Sequence, residues 1–430
     1  MKKRFIGLAL CLMTTIIIAG CGQNKSGANT SKNDNVSSEK PESITVAIWD
    51  EGQKNGLQQI MDEWSKESSI KVNIDVVDWS KYWSMVEEGA ANGNLPDVFW
   101  MHSNVAQMYM ENGALLDLSD RIANSDKIEL KNYYQGVVNL YQHDGKQYAV
   151  PKDIDTIALW YNKTIFDEMG VEYPNDKWTW NDFAEAAARL TNEDHWGTAI
   201  RTNENQEGFY NTIYSMGGYV ISNDKKSSGF DDPNTIKAIT LFTDMIAAGS
   251  CPDYDTVVDT NPGDLFKEGK TAMAINGSWM LAGYRDNEYI AKNCDIAVLP
   301  FTNDPSDRVS IYNGLGWAAA ADGKNADAAW SLIEFLGSKE AQIMQAKLGV
   351  TMSAYVGTSD DWVKSVDCFD LNGHMQMLDA KLVFRPYSKN TVVWEDLITE
   401  KLKDAWTGER PAEDVCKDIA KEMNEILANE

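Results

Sequence analysis

The stretch GKQYAVPKDIDTIALWYN, residues 145–162, carries the clearest indication of the fold. It follows an aspartate and opens on a glycine, a pair typical of a tight turn, and then contains two short apolar runs typical of strands. Pro151 ends the first run, and Asp153 and Asp155 lie before the second, where a continuous core strand would carry neither. We therefore expect the chain to cross here from one lobe to another, leaving polar side chains in the gap.

Length and composition limit the class of protein. The chain has 430 residues, which is too long for one ordinary core and predicts two domains or more. Its net charge of −26 argues against nucleic acid as a partner and against electrostatic docking on anionic lipid. The 15 tryptophans and 17 tyrosines suit a surface built to stack on a ligand.

The N-terminal segment has the pattern of an export signal. Lys2, Lys3 and Arg4 precede an apolar run that is short for a membrane span, and the run ends in small residues before Cys21. This looks like a bacterial lipobox, which predicts a signal peptide over residues 1–20 and a lipid on Cys21. The alternative is a plain signal peptide with an incidental cysteine. Two or more acyl chains on Cys21 would anchor the protein at the outer face of the cell membrane.

Beyond the signal, polar composition predicts a flexible tether over residues 21–43. Strand and helix patterns then alternate, with apolar strands expected at 44–49, 70–76 and 96–100. This alternation is typical of a parallel sheet covered on both faces, so we predict an α/β lobe. The histidines show no metal-ligand spacing, and we expect neither a metal nor a cofactor.

The cysteines of the mature chain leave two possibilities open. They are widely spaced and include no C-x-x-C pair, so they could form one or two disulfides or remain buried thiols. These four residues are Cys251, Cys294, Cys368 and Cys416.

A series of short motifs runs through the mature sequence in a fixed order. In chain order they are LPDVFW (95–100), GALLDL (113–118), YAVP (148–151), LWYNK (159–163), TWNDF (179–183), GG (217–218), FKEGKTAM (266–273), GSW (277–279), LP (299–300), AAW (328–330) and SKEAQ (338–342). In this order, and behind a lipobox, the sequence resembles the extracellular solute-binding proteins of ABC importers, in the sugar-binding family 1 branch. Each motif alone is weak evidence.

The resemblance implies a two-lobed periplasmic-binding-protein fold of type II, with discontinuous α/β lobes joined by a hinge. We expect the N-terminal lobe to comprise residues 44–153 and 301–350, and the C-terminal lobe residues 154–300 and 351–430. Ligand would be held in the cleft between them.

The resemblance also implies two residues of the ligand site. Trp279 follows a Gly-Ser turn and would stack on a sugar ring, although a core tryptophan is the alternative. Asp155 would be a cleft carboxylate that accepts hydrogen bonds from sugar hydroxyls. A hinge salt bridge or a helix cap is the competing role for Asp155.

Other candidates lie at strand ends, because open α/β sheets bind ligands at the carboxyl edge. Glu51 follows the first predicted strand, and Trp100, His102 and Asn104 end or follow the third. A helix cap near Glu51 and a structural role for His102 remain open.

The remaining candidates are spread over the chain. Trp79 begins a helix and could be a rim aromatic, and Tyr210 resembles the aromatic on the second lobe's binding loop. Gly316 and Trp317 resemble the family's glycine turn near the hinge, and Arg385 precedes the terminal helices. For each of these a core or surface role is equally open, and Arg385 could simply pair with an acid.

Two functions follow from these observations. The first is a monomeric sugar-binding lipoprotein without enzymatic activity, which captures its ligand by hinge closure and delivers it to the permease subunits of an ABC importer. The alternative is an exported carbohydrate-active enzyme, a glycoside hydrolase, since aromatic residues and paired acids serve both. The sequence contains no nucleophile elbow or metal motif.

Overall fold

The computed structural model describes residues 40–202 and 205–430. The predicted signal peptide, Cys21 and nearly all of the predicted tether lie outside the described residues. Within the described ranges, no helix combines the length and the apolar character needed to cross a membrane.

The strands match the pattern of short apolar runs in the sequence. In chain order they are β1 (Ser43–Ile48), β2 (Lys71–Val76), β3 (Val98–Met101), β4 (Gln142–His143), β5 (Lys146–Gln147), β6 (Ala149–Pro151), β7 (Ile157–Asn162), β8 (Trp196–Thr198), β9 (Thr271–Gly277), β10 (Cys294–Ala297), β11 (Val309–Tyr312), β12 (Gly316–Ala319) and β13 (Lys381–Phe384). The strands expected at 44–49, 70–76 and 96–100 correspond to β1, β2 and β3.

The helices lie between and after these strands. They are α1 (Glu51–Ser68), α2 (Trp79–Asn92), α3 (Ser103–Glu111), α4 (Ser119–Ala123), α5 (Gln135–Leu140), α6 (Lys163–Met169), α7 (Trp180–Arg189), α8 (Tyr210–Ser215), α9 (Pro233–Ala247), α10 (Tyr254–Asp259), α11 (Pro262–Lys267), α12 (Leu281–Arg285), α13 (Glu288–Asn293), α14 (Ala326–Gly337), α15 (Lys339–Lys347), α16 (Asp360–Val363), α17 (Asn372–Asp379), α18 (Thr391–Trp406) and α19 (Ala412–Leu427). Single 3₁₀ turns occur at Leu130–Asn132, Ser278–Met280 and Pro305–Asp307.

The helix ends follow from local sequence. Asp50 caps α1 by accepting a hydrogen bond from the Gly52 N–H, and Thr179 and Asp182 form a reciprocal capping box on α7. The Asp-Gly turn at the start of the opening stretch has φ of 50° at Asp144 and 75° at Gly145, which is the conformation that joins β4 to β5.

Two main sheets form the centres of two lobes. The first has the strand order β2-β1-β3-β12-β6, and the second has the order β10-β7-β9-β8. In the first sheet β1 pairs in parallel with β2 and β3, whereas β12 is antiparallel to β3 and β6. The carboxyl ends of β1, β2 and β3 therefore meet at one edge, as the parallel-sheet prediction requires.

The chain crosses between the sheets at three places that contact one another. Asp153 pairs with Ser353, the Ile154 N–H donates to the Met352 carbonyl at 3.3 Å, and Asp155 N–H donates to the Asn313 carbonyl at 3.0 Å. Three neighbouring backbone segments thus form the hinge. The crossing predicted from the opening stretch lies at this hinge.

One predicted boundary differs from the structure. We expected the chain to re-enter the first lobe at Phe301, but Phe301 pairs with Thr179, and β11 contacts the second lobe through Ile311, whose N–H donates to Asn211. The crossing falls near Asn313 instead. The apolar run at 298–301 follows the end of β10 and does not lie at the hinge. Composition alone does not distinguish these two positions.

Candidate functional site

Asp153 and Asp155 lie together at the hinge but have different partners. Asp153 Oδ2 lies 2.6 Å from Lys152 Nζ, and Asp153 Oδ1 accepts the Leu315 N–H at 2.7 Å, so both its oxygens hold hinge segments. Asp155 Oδ1 accepts hydrogen bonds from Gln206 Nε2 and from the Asn313 N–H, both at 2.8 Å. Asp155 therefore joins the hinge to the loop before α8.

The surroundings of Asp155 disfavour its charge. Burial, followed by the nearby charge of Asp153, raises the pKa of the Asp155 carboxyl well above its ordinary value of 3.8. The two hydrogen bonds and the Arg385 charge oppose this shift without cancelling it. A buried carboxylate in this position gains from any further hydrogen-bond donor.

His102 connects the end of β3 to the hinge. Its Nε2 lies 2.9 Å from Asn313 Nδ2, and its Nδ1 lies 2.7 Å from Asn104 Oδ1. A neutral imidazole protonated on Nδ1 satisfies both contacts. Burial, and secondarily the Arg385 charge, lowers the pKa of His102 to about 3, so the ring is neutral at physiological pH.

Arg385 and Tyr210 meet on the second lobe's side of this cluster. Arg385 Nη2 lies 2.9 Å from Glu395 Oε1, and the Tyr210 hydroxyl donates to the same oxygen at 3.4 Å. Burial raises the pKa of Tyr210, which therefore remains a neutral hydrogen-bonding group. The predicted residues Asp155, His102, Asn104, Tyr210 and Arg385 thus form one polar cluster.

Aromatic side chains lie beside the cluster at the carboxyl edge of the first sheet. Trp79 is 41% exposed, and its ring centroid lies 5.0 Å from Trp49 and 5.5 Å from His102. The Trp49 ring also packs edge-on against Tyr82 and Trp100. Trp79 consequently presents part of its side-chain surface to solvent next to hydrogen-bonding groups.

Trp100, Trp317 and Gly316 belong to the core of the first sheet. Both tryptophans have no exposed surface, and Trp100 lies under the Lys152 ammonium at 4.7 Å. A Cβ on Gly316 would lie 2.8 Å from Ala149 Cβ, so this glycine allows close packing. Neither tryptophan has exposed surface to offer to a ligand, which favours the core role left open for them. Their place in the ligand site stays a prediction.

Glu51 also lies apart from the cluster. It is the first residue of α1, its side chain is 74% exposed, and its carboxylate lies 4.0 Å from the Lys54 ammonium. Capping of α1 is performed by Asp50 instead. The assignment of Glu51 to the ligand site stays a prediction.

Trp279 lies across the second sheet from Asp155. Strands β7 and β9 are antiparallel with Ile157 opposite Gly277, which places Trp279 at the level of Asp155. The Ser278 N–H donates to the Thr156 carbonyl at 2.9 Å and fixes this register beyond the strand end. Trp279, which is half-buried, and Asp155, which is buried, therefore lie at the same edge of the second sheet.

Several polar residues of this region were missed by the sequence analysis. They are Arg201, Gln206, Glu207, Asn313 and Glu395, all of which contact the cluster or the Trp279 turn. For Arg201, Gln206 and Glu207 the only signal was a polar run between a strand and a helix at 201–207. Such runs are usually surface loops, so the signal was weak.

The described residues contain no group of three or more His, Cys, Asp or Glu side chains able to hold a metal ion. All four predicted mature cysteines are free thiols, which decides between the two possibilities left open above. Burial raises the pKa of the Cys251 thiol to about 12.

Comparison with known proteins agrees with this architecture. Residues 49–343 match the family model described as bacterial extracellular solute-binding protein. The galactooligosaccharide-binding protein of Bacillus subtilis is 23% identical over 354 residues, covering 79% of this chain and 78% of that protein. A maltooligosaccharide ABC transporter solute-binding lipoprotein of Streptococcus pneumoniae is 23% identical, covering 80% and 79% respectively.

Solved structures show the same fold. An ABC substrate-binding protein of Listeria monocytogenes, in complex with cycloalternan, superposes with a TM-score of 0.83 at 22% identity, over 90% of this chain and 100% of that one. The GacH receptor of Streptomyces glaucescens gives a TM-score of 0.79 at 21% identity, over 91% and 99%. The chain has the predicted two-lobed type II fold, and it belongs to the bacterial extracellular solute-binding protein family.

Proposed function

We propose that the protein binds an oligosaccharide in the cleft between its lobes, without chemical conversion, and delivers it to an ABC importer. One observation carries this proposal: the ring centroid of Trp79, a side chain that is 41% exposed, lies 5.5 Å from the ring centroid of His102, at the margin of the polar cluster. A sugar ring has an apolar face and a rim of hydroxyls. The apolar face can stack on an indole, and the hydroxyls can form hydrogen bonds with the adjacent polar groups.

The position of the cluster suits a ligand-driven closure. His102 and Asn104 come from the first lobe, Asp155 and Asn313 from the hinge, and Arg385 from the segment before α18. A ligand that contacts both lobes binds the closed form more tightly than the open form. It therefore shifts the equilibrium toward closure.

The names of relatives support an oligosaccharide as the ligand class. The relatives above are named for galactooligosaccharide and maltooligosaccharide, and a third, from Streptomyces coelicolor, is named for diacetylchitobiose and is 23% identical over 335 residues. They differ in the sugar, but each is named for a short sugar chain. Trp79 and Trp279 lie on separate lobes and would give a bound oligosaccharide two stacking positions.

Membrane attachment through Cys21 belongs to the same proposal. The lipobox pattern and the lipoprotein name of the Streptococcus pneumoniae relative support it. A lipid on Cys21 would keep the protein at the outer face of the membrane, close to permease subunits. A Cys21→Ser variant should move from the membrane fraction to the medium or periplasm, and retention of this variant on the membrane would contradict the anchor.

The second candidate function, glycoside hydrolysis, has less support. Asp153 is held by Lys152 and Leu315, so the nearest carboxylate to Asp155 is not available as a partner in catalysis. The family consists of binding proteins. Intact recovery of bound sugar would separate the two functions.

A thermal-shift screen tests the ligand class. Maltotriose, galactotriose and diacetylchitobiose are added separately to the purified chain, and unfolding midpoints are recorded. A true ligand at 100 times its Kd stabilises the native state by about 2.7 kcal/mol. Trp79→Ala should reduce the shift, whereas Tyr173→Ala, a similarly exposed aromatic at 38%, should not. No shift with any of the three would reject the oligosaccharide class as represented by this panel.

A further inference from the structure

We infer that Glu207 positions the Trp279 indole by holding the backbone of Gly277, against which that indole rests. Glu207 is then a positioning residue for ligand stacking. This inference rests on the proposed function for its consequence in binding, because it assumes that Trp279 stacks on a sugar ring. Its structural part concerns the ligand-free protein alone.

The first step is the contact between Glu207 and Gly277. Glu207 is 4% exposed, and its Oε1 accepts the Gly277 N–H at 2.8 Å. Gly277 is the last residue of β9, so this bond fixes the point at which the chain leaves the second sheet. A hydrogen bond to an ionised carboxylate is stronger than one between neutral groups.

The second step is the contact between Gly277 and the indole. A Cβ built on Gly277 would lie 2.2 Å from Trp279 Cζ3 and 2.3 Å from Trp279 Cη2. The six-membered ring of the indole therefore packs directly over the Gly277 Cα. The φ of Gly277 is −81°, an ordinary value, so the glycine serves this close approach and not an unusual backbone conformation.

The third step is the support of Glu207 itself. Its Oε2 lies 2.9 Å from Arg201 Nε. The other Arg201 nitrogens donate to Asn261 Oδ1 at 3.1 Å and to Asn276 Oδ1 at 3.2 Å. Arg201 thus holds both the carboxylate and the residue before Gly277, which prevents the carboxylate from turning away.

The hinge holds the turn from the other side. The Ser278 N–H donates to the Thr156 carbonyl at 2.9 Å, and Thr156 directly follows Asp155. Gly277 and Ser278 are therefore fixed by separate partners, and Trp279 projects from this fixed turn. Removing the Glu207 carboxylate should free the Gly277 N–H, while the hydrogen bond from the Ser278 N–H to the Thr156 carbonyl remains.

Fluorine NMR of the ligand-free chain tests the positioning. The protein is labelled with 5-fluorotryptophan, and the Trp279 resonance is assigned by its loss in Trp279→Phe. Glu207→Ala should shift or broaden this resonance, and Glu207→Gln, which keeps an acceptor oxygen, should restore it in large part. Glu185→Ala, an exposed glutamate of α7, is the control and should change nothing. An unchanged Trp279 resonance in folded Glu207→Ala would overturn the inference.

Gly277→Ala provides an independent variant in case Glu207→Ala fails to fold. The added methyl group would occupy the place of the indole ring, so the Trp279 resonance should move although Glu207 is intact. If this variant leaves the Trp279 resonance in place, the indole does not rest on Gly277 and the inference fails.

A double-mutant cycle tests the consequence for binding, using maltotriose, galactotriose and diacetylchitobiose as probes. In the wild-type background Glu207→Ala should weaken binding at least tenfold, and in the Trp279→Ala background less than twofold. Equal losses in both backgrounds would mean that Glu207 acts on the ligand without Trp279, which overturns the positioning role. If none of the sugars binds the wild-type chain, the proposed function fails, while the NMR result still decides the positioning.

Discussion

Asp153 and Asp155 are two positions apart and are both acidic, yet their contacts separate their roles. Asp153 is fully occupied with Lys152 and Leu315, whereas Asp155 contacts Gln206 and Asn313 through one oxygen. The sequence analysis favoured Asp155 for the cleft by resemblance, and the difference in contacts gives that preference a physical basis. Only the folded hinge reveals it, because all of these partners except the adjacent Lys152 are 51 to 162 residues away.

Replacing Asp155 by asparagine should separate stability from binding. The folded-state pKa of Asp155 is raised, so its contribution to stability is present at low pH and is lost as the pH rises through that pKa. At pH 7 Asp155→Asn should therefore raise the unfolding midpoint of the ligand-free chain, by on the order of 1–2 °C. Sugar affinity should fall roughly tenfold or more, since a carboxyl oxygen that can accept a hydrogen bond from a sugar hydroxyl is replaced by an amide group. Unchanged affinity with a lowered midpoint would identify Asp155 as a hinge strut.

His374 should make stability depend on pH. It has no exposed surface, lies 3.2 Å through Nδ1 from Thr156 Oγ1, and burial lowers its pKa to about 3. Its contribution is complete above the unfolded pKa of about 6.5 and is lost as the pH falls toward 3. Between pH 6 and 5, urea unfolding should show a loss of about 1.4 kcal/mol per pH unit that His374→Gln lacks. Parallel curves for the two proteins would contradict this.

At the scale of elements, α3 and the segment before α18 connect the lobes at the surface. Lys389 Nζ lies 3.1 Å from Glu111 Oε2, the last residue of α3, with the two side chains 51% and 25% exposed. An exposed pair of this kind contributes less than about 1 kcal/mol, and salt screens it. Because it joins the two lobes, we expect this pair to stabilise the arrangement in which they are in contact.

Lys389→Met should therefore weaken sugar binding modestly, by about twofold to fivefold at low salt. The difference from wild type should shrink in 0.5 M NaCl, where the screening length falls to about 4 Å. Lys417→Met is the matched control, since Lys417 pairs with Glu413 inside α19. Equal effects of the two substitutions on the Kd measured by calorimetry would show that only net charge matters.

The packing of α7 on β8 depends on Gly197. A Cβ there would lie 2.0 Å from the Ala187 carbonyl oxygen, which is backbone and cannot move aside. Gly197→Ala should lower the free energy of unfolding by about 3 kcal/mol. Gly283→Ala, with nothing within 4 Å of the new methyl, is the control and should raise it by about 0.5–1 kcal/mol. Chemical denaturation that finds equal effects would refute this packing argument.

The elements were largely predictable because their signals are local. The Asp50 cap, the Thr179 capping box and the period-3.6 apolar face of α1 are all encoded within a few residues. The re-entry near Asn313 and the burial of Trp317 were not predictable. Both depend on which strands neighbour β12, and this is fixed by contacts with β3 and β6 far away in the chain.

For the whole molecule, sequence motifs and fold lead to the same architecture. The opening stretch becomes a hairpin, the edge strand β6, the hinge and then β7 of the second sheet. The polar cluster assembles from both lobes and from two of the three crossings, through Asp155 and Asn313. For this reason individual site residues were harder to predict than the fold, and Arg201, Gln206 and Glu207 were missed.

Isothermal titration of the wild-type chain with maltotriose, galactotriose and diacetylchitobiose, followed by chromatography of the recovered sugar, tests the central claim most directly. We expect at least one of them to bind with one site per chain and to be recovered intact, and Trp79→Ala and Trp279→Ala to weaken that binding. Absence of binding heat with all three sugars, or recovery of shortened sugars, would contradict the assignment of an oligosaccharide-binding protein without catalysis.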